Sequence, residues 1–176
     1  MFINWHKIKC KRFCSFQLTN FMSSTVSTIR KATPADKPTL LQFEQGVIEA
    51  ERPCDPTLKR DDTIYYDIDE MIRASHIELL VAEVNGELVG CGYARIETAK
   101  LYLQHRQHAY LGFMYVRPEF RGRGINQQIM EALKNWSKEQ GVHELRLEVY
   151  VQNESAIKAY EKIGFIRHMY EMRRGV

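Results

Sequence analysis

The stretch Tyr115-Val116-Arg117-Pro118-Glu119-Phe120-Arg121-Gly122-Arg123-Gly124-Ile125-Asn126 joins a predicted buried strand to a predicted amphipathic helix. Glycine permits positive φ and lets the backbone come close to a ligand. The first N–H groups of a helix attract anions, because they are unpaired and lie at the positive end of the helix dipole. The Arg/Gly loop therefore predicts a cradle for a pyrophosphate, to which Arg121 and Arg123 add charge-assisted contacts.

The loop differs from two widespread phosphate-binding motifs. No Gly-Lys-Ser/Thr follows the glycines, so it is not a Walker loop. The three-glycine spacing of the dinucleotide fingerprint is also absent. A tight turn that is merely basic is the alternative interpretation. The strand before the loop and the helix after it favour the cradle.

A second segment, residues 153–165, reads Asn-Glu-Ser-Ala-Ile-Lys-Ala-Tyr-Glu-Lys-Ile-Gly-Phe. It resembles the motif Asn-x-x-Ala-x-x-x-Tyr-x-x-x-Gly-Phe of the GNAT family of N-acetyltransferases. The loop at 121–126 resembles that family's acetyl-coenzyme A signature, Arg/Gln-x-x-Gly-x-Gly/Ala. Asn126 departs from it, since the family usually has Gly or Ala there, but Asn also supplies a backbone N–H and tolerates unusual φ. The two motifs occur in the family's order, and the resemblance covers about residues 28–173.

The remaining patterns predict the element order β-α-α-β-β-β-α-β-α-β-β. Asn85-Gly86 is the strongest hairpin signal, because both turn residues need positive φ. Hairpins together with β-α-β units predict a mixed sheet with helices on its faces. The resemblance implies a single α/β (α+β) domain whose central sheet is splayed between strands four and five. The predicted strands lie at 28–31, 77–84, 87–96, 110–116, 144–150, 165–167 and 170–173, and the predicted helices at about 37–52, 67–75, 125–140 and 155–162.

The resemblance also implies the ligand and the site. Acetyl-coenzyme A is the expected co-substrate, with its pantetheine arm along strand four, and attack on the thioester is expected to be direct. Asn153 is expected to bond the pantetheine arm, although a simple helix cap is the alternative. Tyr160 is expected to be the general acid beside the sulfur, although a core tyrosine is the alternative. The expected cofactor-binding residues are Met114, Tyr115, Val116, Arg121, Gly122, Arg123, Gly124, Ile125, Asn126, Asn153 and Tyr160.

The general base is sought among carboxylates and histidines. Glu148 stands in the context Leu147-Glu148-Val149, which resembles ribosomal-protein N-terminal acetyltransferases, where such a glutamate acts as the base. The alternative for Glu148 is a solvated strand residue. The other candidates are Glu83, Glu97 and His108.

The acceptor is predicted to be a primary amine, either a small molecule or a peptide. Carboxylates near the first two helices could form an acidic wall that attracts a cationic amine; ordinary solvated and helix-capping charge is the alternative. Tyr65 and Tyr66 could line the same pocket. A function of another class, a non-catalytic acyl-coenzyme A sensor, would keep the cradle and lose the acid and the base. The acidic residues are Asp55, Asp61, Asp62, Asp67, Asp69 and Glu70.

Length and charge are those of one small globular domain. The chain has 176 residues and a formal net charge of +3. Residues 1–21 are basic and acid-free, and Met22 resembles a fresh start. We expect a disordered extension at 1–21 and a domain at 22–176. The alternatives for the extension are a mitochondrial-type presequence and a lipid- or RNA-binding arm. The mild charge gives no reason to expect nucleic acid, and no apolar stretch is long enough to span a bilayer.

Cysteines and histidines add no metal or disulfide motif. The four cysteines lack zinc-ligand spacing and a disulfide framework, which favours a reducing compartment, the cytoplasm. His105 and His108 are close in sequence, but no third metal ligand is evident, so we predict that both lie on the surface and that no metal is bound. The family resemblance also implies that a homodimer is possible.

Overall fold

A computed structural model describes residues 27–61 and 63–175. The predicted extension at 1–21 and Asp62 lie outside these ranges, so the interpretation of 1–21 stays a prediction. From the first strand to the last helix the predicted order of elements is confirmed. The elements are β1 (Thr28–Lys31), α1 (Lys37–Glu51), α2 (Ile68–Arg73), β2 (Ile77–Val84), β3 (Glu87–Thr98), β4 (Gln107–Val116), α3 (Ile125–Glu139), β5 (Leu145–Arg146) and α4 (Glu154–Lys162).

The sheet is mixed, as predicted. Its five strands lie in the order β1-β2-β3-β4-β5. Neighbouring strands are antiparallel as far as β4, and β5 runs parallel to β4. The turn at Asn85 and Gly86 joins β2 to β3 with φ values of 52° and 82°, which is the positive-φ geometry that this dipeptide predicts.

Helices cover both faces of the sheet, which confirms the predicted layers. On one face, Phe43 of α1 packs with Leu79, Val81 and Phe113. On the other face, α3 contributes a buried stripe. Its members, Ile125, Ile129 and Leu133, pack with residues that include Val89 and Leu111.

The predicted splay between β4 and β5 is present and has a local cause. The two strands pair only at Ala109↔Leu145 and Tyr110↔Arg146. Beyond that point β4 continues along β3, where Gly92 opposes both Phe113 and Met114 and Phe113 has a φ of 53°. Such a bulge bends its strand and increases the local twist. The end of β4 therefore turns away from β5 and leaves a gap between them.

Gly92 is what allows this bulge to pack. A Cβ placed at Gly92 would lie 2.6 Å from the Met114 sulfur and 2.9 Å from Ile129. Real Cβ atoms do not come so close to a neighbour. The glycine in β3 thus creates the space into which the bulged residue of β4 fits.

Three strand predictions need correction. The strand predicted at 144–150 is reduced to Leu145–Arg146, because its partner β4 diverges at the bulge. The strands predicted at 165–167 and 170–173 are wrong, since residues 165–175 of the described chain contain no strand. Ile166, Met169 and Met172 have exposed fractions of 83%, 79% and 93%, so no apolar face is buried that would hold this segment against the sheet.

A buried carboxylate fastens the loop between the first two helices. Glu44, on α1, is only 1% exposed. Its Oε1 accepts the backbone N–H groups of Tyr65 at 2.6 Å and Tyr66 at 2.8 Å. Tyr66 in turn stacks on Phe113, with ring centroids 4.4 Å apart. Glu44 thus ties the aromatic loop to the bulge in β4.

We expect Glu44→Ala to lower the free energy of unfolding by about 2 kcal/mol, because two loop N–H groups lose their acceptor. For a domain of this size that corresponds to a midpoint lower by roughly 4–8 °C, which calorimetry or circular dichroism would measure. Glu49 is an exposed carboxylate on the same helix, and Glu49→Ala is the control, expected within about 0.5 kcal/mol of the wild type. Equal midpoints for the two variants would contradict the anchoring role.

Candidate active site

The loop between β4 and α3 has the geometry of an anion cradle. Gly122 and Gly124 have φ values of 75° and 80°, and Gly124 is the N-cap of α3 without any side chain that caps the helix. Apart from the adjoining residues, no heavy atom of residues 27–61 and 63–175 lies within 4 Å of a Cβ placed at either glycine. The first N–H groups of α3 therefore have no side-chain cap, and the space in front of the two glycines is open to a ligand.

Two arginines frame the cradle. The Nε of Arg121 donates to the Val116 carbonyl oxygen at 3.0 Å, and the guanidinium of Arg123 lies 5.1 Å from the Phe120 ring centroid. Both residues are exposed. By contrast Arg117 pairs with Glu87 at 2.7 Å. The charge available to an anion at this loop therefore comes from Arg121 and Arg123.

The start of α3 combines a buried and a polar side chain. Ile125 is 1% exposed and belongs to the core, so only its main chain belongs to the cradle. The Asn126 Nδ2 donates to the Met130 sulfur at 3.7 Å. Its Oδ1 is buried and has no hydrogen-bond partner in the described chain. Asn126, which departs from the family signature, thus lies along α3, and its Oδ1 accepts no hydrogen bond in the described chain.

Residues 114–116 form the open edge of β4. The Tyr115 ring packs on Phe43, with centroids 4.8 Å apart, and against Gly46 of α1. Met114 packs on the opposite face beside Ile129. Because the side chains are fixed on both faces and β5 has diverged, the outer main-chain edge of this segment borders the gap. An extended ligand arm could pair with that edge.

Asn153 caps α4. Its Oδ1 accepts the Ala156 N–H at 3.2 Å and the Ser155 hydroxyl at 3.0 Å. The helix-cap interpretation therefore holds, and contact with a ligand stays a prediction.

Tyr160 lies on α4 with its hydroxyl free. Its ring packs edge-on against Phe165, with centroids 6.1 Å apart, in the apolar cluster beneath α3. Burial, with a contribution from the negative charge of Glu51, raises the pKa of Tyr160 to about 12. The hydroxyl forms no hydrogen bond within residues 27–61 and 63–175. The phenol is thus protonated at neutral pH, and its proton is not committed to another group.

Glu148, beyond the end of β5, is exposed. The Tyr110 hydroxyl donates to its Oε2 at 3.4 Å, a long hydrogen bond. Burial first, and then the charge of Glu148, raise the pKa of Tyr110. In the described chain the Glu148 carboxylate is therefore exposed and is held by a single neutral donor.

The other three base candidates are engaged elsewhere. Glu83 pairs with Arg30 at 3.1 Å. Glu97 accepts from the Arg95 Nε at 2.9 Å and lies 3.4 Å from the His108 Nε2. The prediction that His108 lies on the surface is wrong, since it is 7% exposed at the start of β4. Burial lowers its pKa.

The acidic residues near the first loop are mostly used locally. Asp55 is bonded by the Thr57 hydroxyl and N–H and paired with Arg173, which lowers its pKa to about 2. The Asp67 carboxylate accepts the Glu70 N–H as the cap of α2. Asp69 pairs with Lys37. These three carboxylates therefore have the capping and pairing roles of the alternative interpretation.

One carboxylate that sequence reasoning missed borders the same region. Glu51 lies in the last turn of α1 and is half-buried, which raises its pKa. The only signal in the sequence was its helical spacing from Glu44, Val47 and Ile48, which places a charged residue on an apolar face.

Within residues 27–61 and 63–175, no group of three or more His, Cys, Asp and Glu side chains is arranged to hold a metal ion. Over the same residues, no helix is both long and apolar enough to cross a membrane.

Comparison with known proteins supplies the family. The sequence pattern of the acetyltransferase (GNAT) family matches residues 44–165. The chain is 26% identical over 147 residues to the aminoglycoside N(6')-acetyltransferase type 1 of Stenotrophomonas maltophilia, a match that covers 82% of this chain and 89% of the relative.

Two solved structures show the same fold. A mutant of the BH1408 protein from Bacillus halodurans superposes with a TM-score of 0.76 at 21% identity, covering 85% of this chain and 99% of that one. A predicted acetyltransferase from Clostridium acetobutylicum, solved with acetyl-coenzyme A, superposes with a TM-score of 0.63 at 19% identity, covering 85% and 96%.

Proposed function

The chain belongs to the acetyltransferase (GNAT) family and is an N-acetyltransferase; on that basis we propose that it transfers the acetyl group of acetyl-coenzyme A to a primary amine. The observation that carries the proposal is the pair formed by the uncapped glycine cradle of α3 and the free hydroxyl of Tyr160. Ile125 at the start of α3 and Tyr160 belong to the same core cluster; the cradle would suit a pyrophosphate, and the phenol would suit a leaving thiolate.

The residues around the gap fit acetyl-coenzyme A. The N–H groups at Gly122, Gly124, Ile125 and Asn126 would hold the pyrophosphate, with Arg121 and Arg123 supplying positive charge. The open main-chain edge at 114–116 would pair with the pantetheine arm, and Asn153 would border it. When bound, the co-substrate supplies an activated acetyl thioester.

The proposed transfer is direct, in a ternary complex. The amine nitrogen bonds to the thioester carbonyl carbon, and the carbon–sulfur bond breaks. Tyr160 gives its proton to the departing thiolate, and the nitrogen loses a proton to the base. A phenol whose pKa is about 12 stays protonated through the physiological range, so the acid keeps the proton that the thiolate needs.

We propose Glu148 as the base, acting through water. The Tyr110 hydroxyl at 3.4 Å would orient the carboxylate while leaving its other oxygen accessible. Of the three glutamates considered as the base, Glu148 is the one without an arginine partner in the described chain. The alternative of a solvated residue without a catalytic role is tested by Glu148→Gln in the same assay as the Tyr160 variant below.

The acceptor is proposed to be a small-molecule or peptide amine. The Stenotrophomonas relative is an aminoglycoside acetyltransferase, which makes an aminoglycoside one acceptor to test. The non-catalytic sensor is the alternative function, and the free Tyr160 hydroxyl argues against it. Cytoplasmic location and a homodimer stay predictions that follow from the cysteines and the family.

The test is the amine-dependent release of free coenzyme A thiol by the full chain. The acceptor panel contains kanamycin, spermidine and a short peptide with a free N-terminus. The proposal predicts thiol release well above acetyl-coenzyme A hydrolysis with at least one class, and a product heavier by one acetyl group. Saturable binding of acetyl-coenzyme A without any amine-dependent release would favour the sensor instead.

A further inference from the structure

The ring of Tyr93 extends from β3 over the neighbouring strand. Tyr93 and Gly112 lie directly opposite each other in the β3–β4 ladder. A Cβ placed at Gly112 would lie 2.7 Å from the Cε1 of that ring and 2.8 Å from both its Cζ and its hydroxyl oxygen. Because β4 lies between β3 and β5 in the sheet, a ring whose far end covers β4 directs its hydroxyl towards the β4–β5 gap.

Neighbouring side chains hold the Tyr93 ring in place. The Tyr66 ring packs edge-on against it with centroids 5.9 Å apart, and the Tyr110 centroid lies at 6.4 Å. The Arg95 guanidinium lies 5.8 Å from the Tyr93 ring centroid and is itself held by Glu97. Tyr93 is only 4% exposed. The position of its hydroxyl is therefore set by packing.

The hydroxyl of Tyr93 is not needed for this packing. A phenylalanine ring would cover Gly112 equally well, since an aromatic ring stabilises a strand glycine by contact alone. The hydroxyl forms no hydrogen bond within residues 27–61 and 63–175, and burial raises its pKa. It is thus a protonated donor at neutral pH without a partner in the described chain. Polar groups in so buried a residue normally have a partner, which points to a ligand or a water molecule.

Gly112 lies between the two parts of the proposed reaction site. Two residues before it, the Tyr110 hydroxyl donates to the proposed base, Glu148, at 3.4 Å. Two residues after it begins the edge at 114–116 that is proposed for the pantetheine arm. Tyr93 and Tyr110 pack in the same cluster, on the α1 face of the sheet. The Tyr93 hydroxyl therefore lies between the carboxylate and the expected position of the thioester, where the attacking amine has to be.

We infer that the Tyr93 hydroxyl donates a hydrogen bond to the water through which Glu148 acts, so that Tyr93 is a positioning residue for the proton transfer. The inference rests on the proposed function and names the second group that holds the water. As the amine nitrogen bonds to the thioester carbon, its proton passes to this water, and the water's own proton passes to the Glu148 carboxylate. Tyr93 keeps its proton and leaves one lone pair of the water facing the amine.

The test is a double-mutant cycle of Tyr93→Phe and Glu148→Gln in the full chain, with the preferred amine of the thiol-release assay. Tyr93→Phe should lower kcat by about tenfold, the change that one net hydrogen bond gives, and leave the KM for acetyl-coenzyme A within about twofold. In the Glu148→Gln background it should lower kcat by less than about twofold, because the water no longer has a carboxylate to serve. Tyr102→Phe, at an exposed tyrosine, is the control and should leave kcat unchanged.

A purely structural role of Tyr93 would give a different pattern. Loss of the hydroxyl would then leave kcat unchanged, or would lower it by the same factor with and without Glu148; either result would overturn the inference. The unfolding midpoint of Tyr93→Phe should stay close to that of the wild type, because the ring is kept. A wild type without amine-dependent thiol release would overturn the proposed function and the inference with it, whereas wild-type turnover without coupling between the two residues would overturn the inference alone.

Discussion

Tyr160→Phe is expected to lower kcat by about 10²–10⁴-fold, the range for loss of a general acid, because the thiolate would leave without a proton. The variant keeps the aromatic ring that packs on Phe165, so its unfolding midpoint should stay close to that of the wild type. The affinity for acetyl-coenzyme A should also persist. Steady-state rates with the preferred amine and a calorimetric titration of acetyl-coenzyme A measure the two quantities separately.

Tyr102→Phe is the control for Tyr160→Phe. Tyr102 is 78% exposed in the loop before β4, and removal of its hydroxyl should change neither rate nor affinity. Should Tyr160→Phe turn over at the wild-type rate, Tyr160 would be a packing residue and the acid would have to be sought elsewhere. A fall in kcat together with a much lower unfolding midpoint would indicate that the substitution disturbs the fold instead.

Gly124→Ala is expected to weaken acetyl-coenzyme A binding by about tenfold or more, equivalent to about 1.4 kcal/mol or more. The methyl group would stand in the open space in front of the uncapped N–H groups of α3, where the pyrophosphate is proposed to bind. The backbone strain of a non-glycine residue at a φ of 80° would add about 1–2 kcal/mol of destabilisation.

Gly86→Ala separates the loss of acetyl-coenzyme A affinity from the loss of stability caused by backbone strain. Gly86 has a φ of 82° in the β2–β3 hairpin, and a Cβ there also meets no atom within 4 Å. Both variants should therefore lose a similar amount of stability, whereas only Gly124→Ala should lose affinity. Equal acetyl-coenzyme A affinities in the two variants would show that the cradle does not hold the co-substrate.

The parts of the fold that follow from local chemistry were predicted closely. The Asn85-Gly86 turn fixed the β2–β3 hairpin, because few other dipeptides adopt two positive φ values. The start of α3 followed from Gly124 and its apolar stripe. These features depend on residues near each other in sequence, and their bounds agree with the structure to within a few residues.

The parts that depend on distant contacts were not predicted from the residues alone. The bulge at Phe113 requires the small Gly92 on the neighbouring strand and the Tyr66 ring that stacks on Phe113. The family resemblance predicted the splay between β4 and β5, but not the bulge at Phe113 that produces it. The bulge also ended β5 early, a consequence that alternating Leu145, Leu147 and Val149 could not indicate.

Within the candidate site, the sequence located the motif residues and missed two buried or half-buried carboxylates of α1. Tyr160 and the cradle stand in motifs with fixed spacing. Glu44 and Glu51 carry no motif, and only their burial distinguishes them from the exposed Glu49 of the same helix. His108 was wrongly predicted to lie on the surface, because its burial depends on neighbours from β3 and β5 that are distant in sequence.

The most direct test of the central claim is a calorimetric titration of acetyl-coenzyme A into the full-chain protein. We expect saturable binding at one site, with a dissociation constant of about 1 μM to 1 mM, the range usual for enzyme substrates, and a higher unfolding midpoint by mass action. Absence of both heat and a midpoint shift at millimolar acetyl-coenzyme A would contradict the assignment of the Arg/Gly loop and the end of β4 as the co-substrate site.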